Sequence, residues 1–490
     1  MAKKFITTAI AYANGSPHLG HAYEFVLSDA IARYSKFAYP EMETFFMTGM
    51  DEHGQKIFEK AKAEGVSVEE IVGKYAEEFK ILDKKLNVNY DRFIRTTDPD
   101  HLQVCTKMWM KMYEAGDLYE KEYEGLYCVG CEGFKTEKDL DEAGNCLIHL
   151  VKPVMLKEKN WFFKLSKYEG FLKQKIESNE LKITPEYRKN EMLEFIKNGL
   201  QDISFSRSKE LMSWGIPVPN DDTQVMYVWC DALVNYITGA KVFSDEKNFQ
   251  DFWTDGQTLH IIGKDILRFH SLYWPAMLHS VGLAIPKEIL VHGFITSGGQ
   301  KMSKSLGNVV LPEEILSLYE GVGKEKSILG EDFSSEVFRY FFLKNINPHD
   351  DGDFTFERMK ELYNADLANG LGNLLSRTVK LCEKYLEAKT DFSEHGLVIS
   401  DYMKEYNVMQ ALDAIFYQVS QADLFMQTKE PFKLIKTDPE QAKKDLESLR
   451  SSIFNIAHNL SPFMPATSSV IKKILISNKM PEKPLFPRYE

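Results

Sequence analysis

Two short stretches carry side chains at spacings suited to phosphate chemistry. His18-Leu19-Gly20-His21 sets two imidazoles three residues apart, directly after the turn-rich Tyr12-Ala13-Asn14-Gly15-Ser16-Pro17. Far downstream, Lys301-Met302-Ser303-Lys304-Ser305 follows Gly298-Gly299 and sets two lysines three apart among hydroxyls. Imidazole N–H and ammonium groups both donate to anionic oxygens. A Gly/Ser/Lys loop of this kind can fold over a polyphosphate and neutralise charge that develops during transfer. It is not a P-loop, because the GxxxxGK[ST] spacing is absent. A third stretch carries metal-ligand chemistry. Cys128-Val129-Gly130-Cys131 and Cys146-Leu147-Ile148-His149 read as C-x2-C-x14-C-x2-H. Two such knuckles make a closed tetrahedral Cys3His site, the pattern of structural zinc. A closed site has no open position for water, so it is assigned no catalysis.

These residues need elements to hold them. Phe5 to Ile10 reads as a strand, and Tyr23, Val26, Leu27, Ala30, Ile31 and Tyr34 fall on one helical face. The two histidines therefore sit at a strand-to-helix junction. Unpaired backbone N–H groups and the helix dipole favour anions there. Thr44 to Thr48 reads as a second strand, followed by Gly49-Met50-Asp51-Glu52-His53-Gly54. Strand, helix, strand is a βαβ unit and implies a parallel sheet. Asp51 then lands at the carboxyl edge, where open parallel sheets bind ligands. Helices are expected at Val68 to Phe79 and Leu102 to Tyr113, with Met108, Trp109 and Met112 read as core. The pattern changes from about 118 to 215, which reads as an inserted small domain carrying the cysteines. It resumes at Met226-Tyr227-Val228-Trp229, with strands at Leu259 to Gly263 and Glu288 to Phe294. Asp350-Asp351-Gly352-Asp353 reads as a linker or domain edge. Amphipathic helices dominate from about 358 to 476, with Pro462 and Pro465 breaking the later part, and imply a helical bundle.

A chain of 490 residues suggests two to four domains. Hydrophobic residues at 44% and charged residues at 27% are those of an ordinary globular protein. No apolar run is long enough to cross a membrane, and the N-terminal apolar run is too short for a signal peptide. The reading is cytoplasmic. The net charge of -12 argues against a generally polyanion-seeking surface but leaves room for a local basic patch. Clustering of three of the six cysteines in a cytosolic chain points to metal rather than disulfides.

His18-Leu19-Gly20-His21 and Lys301 to Ser305 resemble, in order and spacing, the two signature sequences of class I aminoacyl-tRNA synthetases. Leu19 stands where isoleucine is commonest. The resemblance is closest to the methionyl-tRNA synthetases. Thr8 to Gly15, Gly49 to Gly54, Tyr227 to Leu233 and Gly263 to Ile266 are similar to that family's segments, with Ala11 where proline is frequent. The resemblance implies a Rossmann-like doubly wound parallel sheet with an inserted zinc-knuckle domain and a C-terminal α-helical bundle. The implied domains are a first catalytic half at 1–117, a connective insertion at 118–215 and a second catalytic half at 216–292. A stem-contact region at 293–352 and an anticodon-binding domain at 353–490 follow.

It also implies a reaction. The carboxylate of L-methionine attacks the α-phosphate of ATP, pyrophosphate leaves, and the methionyl group passes to the 3′ end of tRNA(Met). His18, His21, Lys301 and Lys304 would be catalytic. ATP would be held by these four with Gly20, Glu24, Lys264 and Asp265, and Mg2+ would accompany it. Asp51 would pair with the substrate ammonium. Ile10, Tyr12, Trp229, Ala232, Tyr236, Ile266, His270 and Trp274 would line a thioether slot, with Ile10 and Tyr236 nearest the sulfur. Arg207 would meet a carboxylate or phosphate. Asn373, Arg377 and Phe432 would read the anticodon, Phe432 standing where the family usually has tryptophan. Zn2+, one per chain, would sit on Cys128, Cys131, Cys146 and His149. The insertion is too short for the editing domain usual in leucine, isoleucine and valine enzymes of this class. The chain is expected to be a monomer. The alternatives are another class I synthetase, for leucine or cysteine, and a non-catalytic tRNA-binding protein on the same fold.

Overall fold

Aromatic and β-branched runs favour extended backbone that packs on both faces of a sheet. The runs Phe5 to Thr8 and Thr44 to Met50 do so here, in a computed structural model that describes residues 3–489 apart from 129–132, 136, 149, 211, 303–307, 321–332, 394–395 and 482. The chain folds as two compact units. One comprises Met1–Ser16, Glu43–Ile81 and Tyr90–Val291, and the other Pro17–Met42, Leu82–Asn89 and His292–Glu490.

The first unit is built on a seven-stranded sheet. Its strands are β1 (Lys4–Thr8), β2 (Ala11–Tyr12), β3 (Thr44–Asp51), β4 (Arg92–Arg95), β5 (Lys182–Thr184), β6 (Gln257–Gly263) and β7 (Glu288–His292). β1 pairs in parallel with β3 on one side and β6 on the other, Phe5 lying opposite both Phe45 and Thr258. β4 takes the far side of β3 and β5 runs parallel to β7. β2 continues along the β1 side of β3, with Ala11 opposite Met50 and Tyr12 opposite Asp51. The parallel sheet and its carboxyl edge are those expected from the βαβ pattern. β3 runs three residues past the expected end and takes Asp51 into the strand. The helix Pro99–Glu114 buries Met108, Trp109 and Met112, as core.

The insertion begins where composition shifts. Leu118–Cys128 and Val154–Phe163 pair antiparallel from Leu118 opposite Phe163 to Tyr127 opposite Val154. Gly133–Lys135 and Ile203–Ser204 complete a four-stranded sheet. The buried carboxylate of Asp117 fixes its root. It accepts from Lys167 at 2.6 Å, Tyr168 at 2.5 Å and Ser280 at 2.7 Å.

The second unit is mainly helical. Helix Leu19–Ala38 buries Tyr23, Val26, Leu27, Ala30, Ile31 and Tyr34, the face its periodicity marks. Helices Ser334–Asn345, Asn373–Tyr385, Val408–Lys429, Pro439–Leu460 and Pro465–Ser477 form the bundle. Two details differ from the sequence expectation. Pro465 does not break a helix but opens one, at the position where a missing N–H costs nothing. The acidic run is no linker: Gly352–Phe354 pairs in parallel with Ile295–Ser297. Asp353 accepts from Thr296 Oγ1 at 2.6 Å and Gly299 N at 2.8 Å, and so braces the hairpin that leads into Lys301. Gly298 and Gly299 form its turn at φ 60° and 74°, backbone that favours glycine. No helix among the described residues is long and apolar enough to cross a membrane.

Candidate active site

In the second unit, His18 is the N-cap of helix Leu19–Ala38, with extended backbone at φ -120° and ψ 175°. The His18 and His21 rings stack at 3.7 Å. Each ring receives the other's backbone N–H at its Nδ1: His21 N donates to His18 at 3.4 Å and His18 N to His21 at 3.3 Å. These bonds are long, but their direction decides the tautomer. A nitrogen that accepts carries no proton, so each neutral ring holds its proton on Nε2. Burial, and next the neighbouring His18, hold the His21 pKa well below the ordinary value. The pair is thus a set of neutral N–H donors at a helix start, suited to developing negative charge. A Cβ on Gly20 would meet the His18 ring at 3.0 Å, so glycine leaves that ring its place.

One turn on, Glu24 Oε2 lies 3.0 Å from His292 Nε2, and His292 Nδ1 lies 2.8 Å from the carbonyl of Gly293. A carbonyl only accepts, and so does a carboxylate. The arrangement calls for protons on both ring nitrogens, a charged pair held inside the unit. His292 was not singled out by sequence; its only signal is a histidine at the end of a strand. Lys301 ends the strand Gln300–Lys301, whose partner is Ile295–Ser297. The Lys301 side chain and the whole of Lys304 lie outside the described residues.

In the first unit, Asp51 is the buried last residue of β3, beside Tyr12, and Ala13 N donates to its carbonyl at 2.8 Å. Trp229 lies flat on Phe269, with ring centroids 3.8 Å apart, and meets His270 edge-on at 6.1 Å. The Tyr236 hydroxyl is 2.7 Å from His270 Nε2, and His270 Nδ1 is 2.9 Å from the Ile266 carbonyl. Burial pushes the His270 pKa down to about 4, so the ring is neutral at physiological pH. Its one proton goes to Ile266, and Tyr236 therefore donates to Nε2. The tyrosine oxygen is fixed in place by that bond. Ile10, Tyr12, Trp229 and Ile266 are half-buried and pack against the core cluster to which Tyr236 belongs. Ala232 is buried.

Trp274 is fully buried, 6.0 Å from both Tyr236 and Trp253, and forms a second row behind Tyr236. Phe269, His260 and the His53–Asp231 pair escaped the sequence reading. Phe269 had a signal, an aromatic five residues before Trp274. Lys264 is half-buried and Asp265 exposed in the turn after β6. Arg207 is buried in scaffold: it donates to the Ser206 carbonyl at 2.7 Å and Ser204 Oγ at 2.9 Å, with its guanidinium 4.3 Å over Tyr227.

Cys128 ends its strand and Cys146 bridges to Leu140; both are buried. Cys131 and His149 lie outside the described residues, which by themselves hold no group of three or more metal-ligating side chains. In the bundle, Asn373 is exposed at a helix start and Arg377 pairs with Asp423 at 3.0 Å. Phe432 is 40% exposed, which fits a stacking surface better than a core position.

Comparison with known proteins bears on all of this. The family model described as tRNA synthetases class I (M) matches residues 4–147 and 136–379. A methionine–tRNA ligase of Rhizobium meliloti is 38% identical over 99% of this chain and 98% of its own length. One from Synechocystis is 39% identical, over 95% of this chain and 88% of its own length. The Mycobacterium tuberculosis methionyl-tRNA synthetase, solved with methionyl-adenylate, is similar in fold with a TM-score of 0.88. It shares 32% identity, with full coverage of both chains.

Proposed function

The chain belongs to the class I tRNA synthetases of the methionine type, and from that premise we propose how its residues work. It activates L-methionine with ATP and transfers the methionyl group to tRNA. In the first step a methionine carboxylate oxygen bonds to the α-phosphorus while the bond to the β-phosphate oxygen breaks, and pyrophosphate leaves. In the second, a terminal ribose hydroxyl of tRNA attacks the acyl carbonyl, AMP leaves and the hydroxyl proton is released. No protein nucleophile is needed; the protein positions reactants and stabilises charge.

His18 and His21 donate Nε2–H groups to the reacting phosphates, and Lys301 and Lys304 neutralise the β- and γ-phosphates. Glu24, Lys264 and Asp265 serve the nucleotide, whose phosphates Mg2+ accompanies. Asp51 takes the ammonium. Ile10, Tyr12, Trp229, Ala232, Tyr236, Ile266 and His270 enclose the thioether, with Trp274 setting Tyr236 from behind. The observation that carries the choice of amino acid is the Tyr236–His270 pair. It offers one fixed polar oxygen in an otherwise aromatic and aliphatic slot, which suits an unbranched side chain with a single soft polarizable atom. Amino-acid-dependent ATP–pyrophosphate exchange across the twenty amino acids tests it. Methionine should drive exchange best, and a better substrate among the other nineteen would reject the assignment.

The same reading divides the chain at 1–117, 118–215, 216–292, 293–352 and 353–490. Asn373, Arg377 and Phe432 read the anticodon. Zinc on Cys128, Cys131, Cys146 and His149 holds the knuckle together. Two buried thiols, Cys128 and Cys146, one from each knuckle, support it, since thiolate sulfur is zinc's preferred structural ligand. Elemental analysis of protein never exposed to chelator should find one zinc per chain; none would remove the site.

A further inference from the structure

Asp231 has no exposed side-chain surface, yet its charge has no place in the reaction. A buried carboxylate is costly unless paired. Its Oδ2 lies 3.0 Å from His53 Nδ1. A second imidazole, His101, stands near it as well. Thr238 Oγ1 donates to the Val234 carbonyl at 3.1 Å and so accepts from His101 Nδ1 at 3.3 Å. His101 Nε2 faces Cys105 Sγ at 3.2 Å and stands 3.7 Å from Asp231 Oδ1, beyond hydrogen-bond reach. His53 therefore makes the shorter contact to Asp231, with His101 at ion-pair distance from the other oxygen.

The two residues are 178 positions apart. Each stands within two positions of a pocket residue. His53 follows Asp51 at the end of β3. Asp231 lies between Trp229 and Ala232 on the five-residue helix Val228–Ala232. The strand-end side is braced again: Trp214 Nε1 donates to the Glu52 carbonyl at 2.6 Å, and Arg95 and Thr97 hold the Glu52 carboxylate at 2.6 and 2.5 Å. The short helix is too brief to hold its own position by backbone bonds.

We propose that His53 and Asp231 are positioning residues for methionine recognition, clamping the Asp51 strand end to the helix that carries Trp229 and Ala232. The inference rests on the reading of Asp51 as the ammonium partner. Asp231→Asn keeps the shape and removes the charge. Measured by pyrophosphate exchange, it should raise the methionine KM roughly 10- to 100-fold, the cost of a misplacement on the order of 1 Å, while ATP KM and kcat move less than about twofold. His53→Gln should do the same, and the double variant no more than either, because both break one contact. A merely structural pair would lower the active fraction and hence kcat, with methionine KM unmoved. A methionine KM within about twofold of wild type in both single variants overturns the clamp. Should Asp231→Asn fail to fold, His53→Gln alone decides. Asp51→Asn separates the two claims: an unchanged methionine KM there rejects the ammonium role of Asp51. A raised KM in Asp231→Asn would then still stand for the clamp, acting through Trp229 and Ala232.

Discussion

His270 does two jobs with one ring, and pH separates them. Its Nδ1–H belongs to the Ile266 carbonyl and its Nε2 lone pair to the Tyr236 hydroxyl, so protonation would reverse the second bond, with the ring donating to the tyrosine oxygen. In the folded protein the ring titrates at about 4 because it is buried. In the unfolded chain it titrates near 6.5. As pH falls below about 6.5, the unfolded chain takes up a proton that the folded chain refuses, so stability drops. The drop continues to about pH 4 and amounts to on the order of 3 kcal/mol. Buried His260, whose pKa is also held low by burial, acts in the same direction. Denaturant midpoints between pH 7 and 4 check this. His270→Gln should flatten the acid limb relative to wild type; parallel limbs would contradict it. The sequence showed His270 one turn after Ile266, a spacing that brings ring and carbonyl together on a helix. The Tyr236 partner is 34 positions away and was legible only through the resemblance, because nothing local brings the two together.

At the scale of elements, the second unit is organised around Arg339, which has no exposed surface. Its guanidinium meets Asp29 of helix Leu19–Ala38 at 2.7 Å and the Phe463 carbonyl, before the last bundle helix, at 2.7 Å. It also reaches the carbonyls of Leu86 at 3.4 Å and Pro462 at 3.3 Å. Asp83 is buried nearby, with neither oxygen hydrogen-bonded among the described residues. Burial, and then the charge of Asp29, push its pKa well above the ordinary carboxylate value. Arg339→Met would leave Asp29 with Arg33 and the Asn89 N–H, and three carbonyls short of a donor. The expected loss of stability is on the order of 3–5 kcal/mol. Adding Asp29→Asn should recover part of it, since the buried carboxylate that lost the Arg339 guanidinium would be gone. Denaturant titration of both variants reads this directly, and equal stability of single and double variants would show that the charge is not what matters. Periodicity made the helices legible, and the strand-to-helix junction at His18 with them. It did not show that Arg339 would be buried or what it would bind, because its partners come from positions 29, 86, 462 and 463. Such contacts also explain why each of the two units draws on segments far apart in the sequence. Composition is local, whereas helix Leu19–Ala38 is tied into the second unit by Asp29 and by Phe37, 4.7 Å from His458.

At the scale of the whole molecule, the charge sets a condition on how tRNA is bound. A net charge of -12 repels a polyanion at long range, so productive binding depends on local contacts. Asn373, the exposed Lys380 and Lys384 on the same helix, and exposed Phe432 are of the right kinds: an amide for base edges, ammonium groups for phosphates and a ring for stacking. These contacts respond differently to salt. Ammonium–phosphate contacts release counterions, and even a few make affinity fall steeply with ionic strength. Stacking releases none. Raising salt from about 50 to 200 mM should therefore lower kcat/KM for tRNA in aminoacylation by about tenfold or more. Pyrophosphate exchange, which needs no tRNA, should change far less. Phe432→Ala should lower tRNA charging at every salt concentration and leave the slope as it was, whereas Lys380→Ala with Lys384→Ala should flatten it. If the double lysine variant kept the wild-type slope, the phosphate contacts would lie elsewhere on this acidic chain. If Phe432→Ala changed the slope, the ring would be ordering a phosphate contact rather than stacking on a base.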